Sequence, residues 1–169
     1  TKGQYSPTSE RGFVSKSSPF GTVEDPFIPA ELCFGARGRF FARSLDIDMK
    51  LLGQCMVASA QHKGAAVVEV LVNCVIFNDG VHKGVAQRDT REDRSIVLRH
   101  GEKMIFGKEK NKGIVLDGLR LKVVTIGEDG YTLDDVLTHD AHEVDPTLHT
   151  MLAMMGTSDD MPVAFGVIR

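Results

Sequence analysis

Among its 169 residues the sequence has three cysteines, Cys33, Cys55 and Cys74, and no two of them are spaced CxxC. An odd number at wide spacing argues against a disulfide framework and suits a reducing compartment. It also excludes a four-thiolate zinc or iron–sulfur site built from these residues alone, because such sites generally take four protein ligands. No apolar run approaches the roughly 18 residues of a membrane span, and no charged-then-apolar leader opens the sequence. A soluble cytoplasmic protein without a membrane partner is therefore expected. The formal net charge is -3, and lysine and arginine are scattered rather than gathered into a stripe, so nucleic acid is not an expected partner. The dinucleotide fingerprint GxGxxG and the phosphate loop GxxxxGK[ST] are both missing, no Ser/His/Asp order can be assembled, and no internal repeat is apparent.

What is present begins with a core. A hydrophobic content of 42% over this length supports one ordinary domain. From Thr1 to Pro26 the chain is rich in Ser, Gly and Pro and has little periodicity, which predicts a long ordered loop of the kind that usually serves a function. Its first stretch, "TKGQYSPTS", is dense in hydroxyls and turn formers. In "DPFIPAELCFGARG", Pro29 suits the first position of a short helix that Gly38 is free to end. "RFFARSL" reads as a strand. "DIDMKLLGQCMVASAQHKG" reads as a helix with Asp46 as N-cap, Leu52, Cys55, Met56 and Ser59 on one face, Lys63 in the last turn and Gly64 beyond it. "AAVVEVLV" is nearly unbroken in apolar character, as in a parallel strand covered on both faces. Strand, helix and strand make a βαβ unit.

After that unit comes "NCVIFNDG". Ligand crevices in open α/β sheets lie beyond the carboxyl ends of the parallel strands, which singles out Cys74 as a ligand or nucleophile against the alternative of an ordinary thiol. Cys33 and Cys55 lie on apolar helix faces and read as small hydrophobes. "KGVAQRDTREDR" reads as a solvated charged segment. "SIVLRHGEKMIFG" and "GIVLDGLRLKVVTIGEDG" read as short strands around Gly-containing turns, with "KEKNKG" a solvated turn between them. In "HDAHEVD", His139 and His142 with Asp140, Glu143 and Asp145 have donor types that suit a divalent metal. Nothing fixes a third ligand, and Pro146 makes the stretch the capped start of a helix, so a polar connector is expected. That helix places Leu148, Met151, Leu152 and Met155 on one face and stops at Gly156. "MPVAFGVIR" reads as a last strand.

Taken together, "TKGQYSPTS", "GTVEDPF" and "VVEVLVNCVIFNDG" resemble, in order and approximate spacing, the carboxyl-terminal half of the beta subunit of 2-oxoacid:ferredoxin oxidoreductases. "CVIFNDG", "GKEKNKGIVLDG" and "DDVLTHDAHE" resemble most the 2-oxoglutarate branch. The resemblance implies an α/β, thiamine-diphosphate-binding fold, here its carboxyl-terminal half with a parallel sheet and flanking helices in residues 1–79. A strand-rich carboxyl-terminal extension would occupy residues 80–169. It implies thiamine diphosphate, Mg²⁺ and a [4Fe–4S] cluster as cofactors, coenzyme A as co-substrate, and ferredoxin and an alpha (or fused alpha–gamma) subunit as partners. The family's Gly-Asp-Gly and CxxC motifs are missing here, so the resemblance also implies a segment of a longer subunit.

Carried over residue by residue, Cys74 matches the family's fourth cluster ligand. Thr1, Lys2, Gly3 and Gln4 match the loop lining the cofactor and substrate pocket. Lys2 offers a cation to an anionic substrate carboxylate or to the diphosphate, and Gly3 allows close backbone approach. Ser6, Pro7 and Thr8 shape the same loop. Asn73 departs from the family pattern, where Pro often precedes the cysteine, and this loosens the fixed backbone angle there. No acid or base on this chain is implied, because the partner subunit supplies most of them in this family. A pyruvate or other 2-oxoacid enzyme is the near alternative. A non-catalytic α/β interaction module, with Cys74 an ordinary thiol, is the alternative of another class.

Overall fold

The computed structural model describes residues 3–157 and 160–169. The first helix, α1 (Pro29–Gly35), has Pro near its start, where a missing N–H costs nothing. It ends in a Schellman arrangement: Gly38 N donates to Cys33 O at 2.7 Å and Arg37 N to Phe34 O at 2.9 Å. The left-handed residue is Arg37 (φ 61°), not the glycine. Gly38 is needed for a different reason, since a Cβ there would stand 2.5 Å from the Cys33 sulfur.

The expected βαβ unit follows as β1 (Phe41–Leu45), α2 (Met49–Gln61) and β2 (Val67–Leu71), with β1 and β2 parallel from Phe41 opposite Val67 to Leu45 opposite Leu71. The cap of α2 is Asp48 rather than Asp46: its carboxylate accepts from Leu51 N at 3.1 Å. The helix therefore starts two residues later, and its buried face is Leu51 and Cys55 with Ala58 packed beside them, while Met56 is exposed. Lys63 lies just outside the helix, which is capped by His62.

The charged stretch forms two single-turn helices, α3 (Lys83–Ala86) and α4 (Arg91–Arg94). It is not simply solvated, since the Arg91 guanidinium pairs with the Asp48 carboxylate and Asp93 accepts from Lys112 Nζ at 2.7 Å. Next come β3 (Ser95–Leu98), β4 (Ile105–Phe106) and the hairpin β5 (Lys112–Asp117) and β6 (Arg120–Thr125). A last helix, α5 (Thr147–Met154), and a last strand, β7 (Val163–Val167), close the chain. Gly156, in left-handed backbone at φ 88°, follows α5 as expected; of the expected face Leu152 and Met155 are buried and Leu148 packs against the core, while His149 and Ala153 are buried in addition.

Two sheets result. The larger has the order β2-β1-β7-β3 and the smaller β4-β5-β6. In the larger sheet β7 lies antiparallel to β1 and parallel to β3, so the sheet is mixed: the parallel pair read from the sequence is one half of it. Strands from residues beyond 80 thus complete the sheet begun before that point. β1 is buried throughout, with Phe41 packed toward α1, α5 and the small sheet, and Phe40 and Ala42 toward α2. This three-layer packing with helices on both faces is the α/β arrangement expected. β2 is half-buried rather than covered on both faces, and among the described residues it is an edge strand of the larger sheet. No helix among the described residues is long and apolar enough to cross a membrane.

Candidate functional site

The parallel pair β1 and β2 sets the position of the segment that carries Cys74. The chain leaves β2 at Leu71 and turns at once, with Asn78 N donating to Cys74 O at 2.9 Å. Asn73 clamps this loop from its base. Its Nδ2 donates to Asp79 Oδ1 at 2.8 Å, and its Oδ1 accepts from Gly80 N at 2.9 Å. These two bonds tie the Asn73 side chain to the far side of the loop.

Within the turn the thiol of Cys74 is exposed, while Cys33 and Cys55 are buried. The backbone N–H groups of Phe77 and then Ile76 face its sulfur and hold its pKa below the usual thiol range. Burial pushes the thiols of Cys33 and Cys55 up. The three cysteines thus separate by environment: two act as small hydrophobes, and one is an exposed thiol in a ring of amides. Amides directed at sulfur stabilise a thiolate, the form that binds metal. Around it Val72, Val75, Ile76 and Phe77 present apolar side chains to the exterior.

The opening loop reaches this turn. Gly3 has φ 83°, a left-handed conformation, and a Cβ there would lie 3.0 Å from Cδ1 of the Phe77 ring. Glycine suits this backbone angle, and its missing side chain lets the backbone pass close to the ring. Gln4 beside it is exposed. Thr1 and Lys2 lie outside the described residues. Downstream, Ser6 and Thr8 bond through their hydroxyls at 2.8 Å, and Pro7 O accepts from Phe27 N at 2.7 Å, so this triplet shapes the loop. The buried Thr22 anchors its far end, donating to Glu10 O at 2.7 Å and accepting from Gly12 N at 2.8 Å through its own carbonyl.

The residues of "HDAHEVD" do not converge. His139 is buried, with Nε2 at 2.9 Å from Val167 O, whereas His142 is at the surface with its ring 4.5 Å from that of His100. Asp140 turns to His100 at 3.3 Å, and Asp145 accepts from Thr147 N at the start of α5. No group of three or more metal-competent side chains occurs among the described residues. The stretch is a polar connector. His149, which periodicity did not single out, is buried against His139 with ring centroids 6.2 Å apart. Phe77 was likewise missed, although its place three residues after Cys74 in a short turn is the signal that would mark it.

These residues fit part of a cluster site. Cys74 offers one exposed thiol whose pKa the neighbouring amides lower, so the remaining ligands of such a site would have to come from elsewhere.

No known family profile matches the chain. It is 39% identical over 169 residues to the 2-oxoglutarate oxidoreductase subunit KorB of Mycobacterium tuberculosis, covering 100% of this chain and 44% of that protein. To the 2-oxoacid:ferredoxin oxidoreductase 1 subunit beta of Aeropyrum pernix it is 39% identical over 79 residues, 47% of this chain and 25% of that one. To the 2-oxoglutarate synthase subunit KorB of Archaeoglobus fulgidus it is 36% identical over 74 residues, 44% of this chain and 28% of that one. The chain thus spans less than half the length of these relatives. A solved 2-oxoglutarate:ferredoxin oxidoreductase from Magnetococcus marinus, with 2-oxoglutarate, coenzyme A and succinyl-CoA bound, shares the fold with a TM-score of 0.60 at 18% identity, over 99% of this chain and 41% of that one. The chain is therefore similar from its first residue to its last to a 2-oxoglutarate oxidoreductase subunit KorB, and over less than half of its length to a 2-oxoacid:ferredoxin oxidoreductase subunit beta and a 2-oxoglutarate synthase subunit.

Proposed function

We propose that this chain is part of the beta subunit of an enzyme that oxidatively decarboxylates 2-oxoglutarate to succinyl-CoA with ferredoxin as electron acceptor, or runs the reverse carboxylation. The observation that carries this reading is the contact of Gly3 with Phe77, in the turn whose amides face the Cys74 sulfur. It joins the two segments to which the resemblance assigns the cofactor pocket and the cluster. Residues 1–79 would be the carboxyl-terminal half of the thiamine-diphosphate-binding domain and residues 80–169 the extension.

In this assignment Thr1, Lys2, Gly3 and Gln4 line the pocket of thiamine diphosphate, Lys2 faces a substrate carboxylate, and Cys74 is one ligand of a [4Fe–4S] cluster. When bound, thiamine diphosphate would supply an electron sink for the negative charge left on the 2-oxo carbon by loss of carbon dioxide, and the cluster would supply one-electron transfer. The chain's own work is positional. Gly3 brings the backbone close, Asn73 fixes the loop, and the amides of Ile76 and Phe77 tune the sulfur. Mg²⁺, the other cluster ligands and the acid–base groups come from outside these residues, the last from an alpha or fused alpha–gamma subunit in the cytoplasm. The exposed apolar side chains of Val75 and Ile76 suit a surface that further protein covers.

The test is turnover by the complete complex on a panel of 2-oxoacids with coenzyme A and ferredoxin. Preference for 2-oxoglutarate is expected, and preference for pyruvate would move the chain to another branch. The reading frame upstream of Thr1 should carry CxxC, a further Cys and Gly-Asp-Gly. A full-length frame without them would leave a non-catalytic module.

A further inference from the structure

At the end of the sheet opposite to Cys74 lies a cleft of about 770 Å³. It opens where β1 and β2 begin and β3 and β7 end, between the carboxyl-terminal half of α2 and residues 141–144. The volume is that of a site for one small organic molecule. Its apolar wall comes from Phe40, Leu51, Cys55 and Ala58 on one side and Leu98 and Val167 on the other.

The polar groups around that wall are unevenly charged. Arg39, Lys63, Arg99 and Arg169 line the cleft against one carboxylate, Glu143, whose Oε1 is already occupied by the N–H groups of Val144 and Asp145. Arg39 and Lys63 make no hydrogen bond or ion pair among the described residues. Arg169 is buried, and its guanidinium donates to two carbonyls, Gly38 O at 3.1 Å and Val144 O at 2.7 Å, with its carbon 5.8 Å from the centre of the Phe34 ring. Carbonyls orient that cation but do not neutralise it; the Asp145 carboxylate, whose pKa Arg169 helps to lower, is its counter-charge, while Arg39 and Lys63 have none in contact among the described residues. Arg99 pairs loosely with Glu102, at 3.9 Å.

We propose that this cleft binds an organic anion, with an apolar body against Phe40, Leu51 and Val167 and a phosphate or carboxylate group turned to the guanidinium and ammonium groups. Guanidinium pairs with either group through two parallel hydrogen bonds. The inference does not rest on the assignment at Cys74, because the two sites share no residue and lie at opposite ends of β1.

The experiment uses the intact protein with the chains it is assembled with. Binding of 1-naphthyl phosphate and 1-naphthoate is measured by calorimetry, beside inorganic phosphate (charge alone) and 1-naphthol (apolar body alone). Saturable binding of one of the two naphthyl anions is expected, tighter than either half-probe. The double variant Arg39→Gln/Lys63→Gln, at exposed positions where folding is not at stake, should weaken it by roughly tenfold or more. Equal binding of 1-naphthol, absence of saturable binding, or an affinity the double variant leaves unchanged would each overturn the proposal.

Discussion

Gly3 and Phe77 are 74 positions apart in sequence and in contact in space: a single added carbon at Gly3 would come within 3.0 Å of the phenylalanine ring. The same position has φ 83°, so both the contact and the backbone angle disfavour a side chain. Gly3→Ala should therefore be strained by about 1 kcal/mol in the left-handed region, before any displacement of Phe77. Lower thermal stability of Gly3→Ala, together with a changed alkylation rate at Cys74, is the expected result. An unchanged rate would separate the two loops.

The thiols differ in a way that pH reads directly. The thiolate is the reactive form, and the amides of Phe77 and Ile76 lower the pKa of Cys74 while burial raises those of Cys33 and Cys55. In metal-free protein, iodoacetamide should label Cys74 with a pH midpoint below the ordinary thiol value of about 8.5. Cys33 and Cys55 should stay unlabelled until the protein unfolds. Peptide mass spectrometry across a pH series measures all three at once.

Two buried histidines make the fold sensitive to acid. His139 and His149 each bond a backbone carbonyl through Nε2, have no partner at Nδ1, and have pKa values lowered first of all by burial. The folded-state values lie below the unfolded ones, so below about pH 6.5 the unfolded chain binds more protons than the folded one. Stability is complete above that pH and falls as pH drops toward the folded values. Denaturant midpoints between pH 7.5 and 5 should show this loss, and it should be smaller in His149→Asn.

Helix α2 and the β3–β7 seam offer two stability tests. Asp48→Ala removes both the cap on Leu51 N and the pairing with Arg91, and should cost about 1 kcal/mol; Asp48→Asn keeps an acceptor and should cost less. Gly166→Ala is more severe. At φ 95° an added Cβ would stand 2.5 Å from Leu98 O in the neighbouring strand, so a loss well above about 1 kcal/mol is expected. Chemical denaturation of the variants gives both numbers.

The parts of this account that could be read from sequence are those carried by local signals. β1, α2 and β2 follow one another with Val-rich strands and a periodic helix, and their parallel pairing is the one expected. The cap was misplaced because Asp46 and Asp48 are both plausible acceptors, and only the side chain bonded to Leu51 N decides between them. The antiparallel insertion of β7 beside β1 was not legible, since it pairs Ala42 with Val167 across most of the chain. Cys74 stood out by its place after a parallel strand, and the amides around it are a property of the turn that no residue pattern announced. The cationic cleft draws on short stretches from every part of the sequence, which is why no motif marked it.

The measurement closest to the central claim is made on the intact complex carrying Cys74→Ala, purified without oxygen. Iron content, the visible absorbance of the cluster and 2-oxoglutarate-dependent reduction of ferredoxin are read on one sample, with circular dichroism to establish that the variant is folded. Loss of cluster iron and of ferredoxin reduction from a folded complex is the predicted result. A folded complex that keeps all its iron and its activity would contradict the assignment of Cys74.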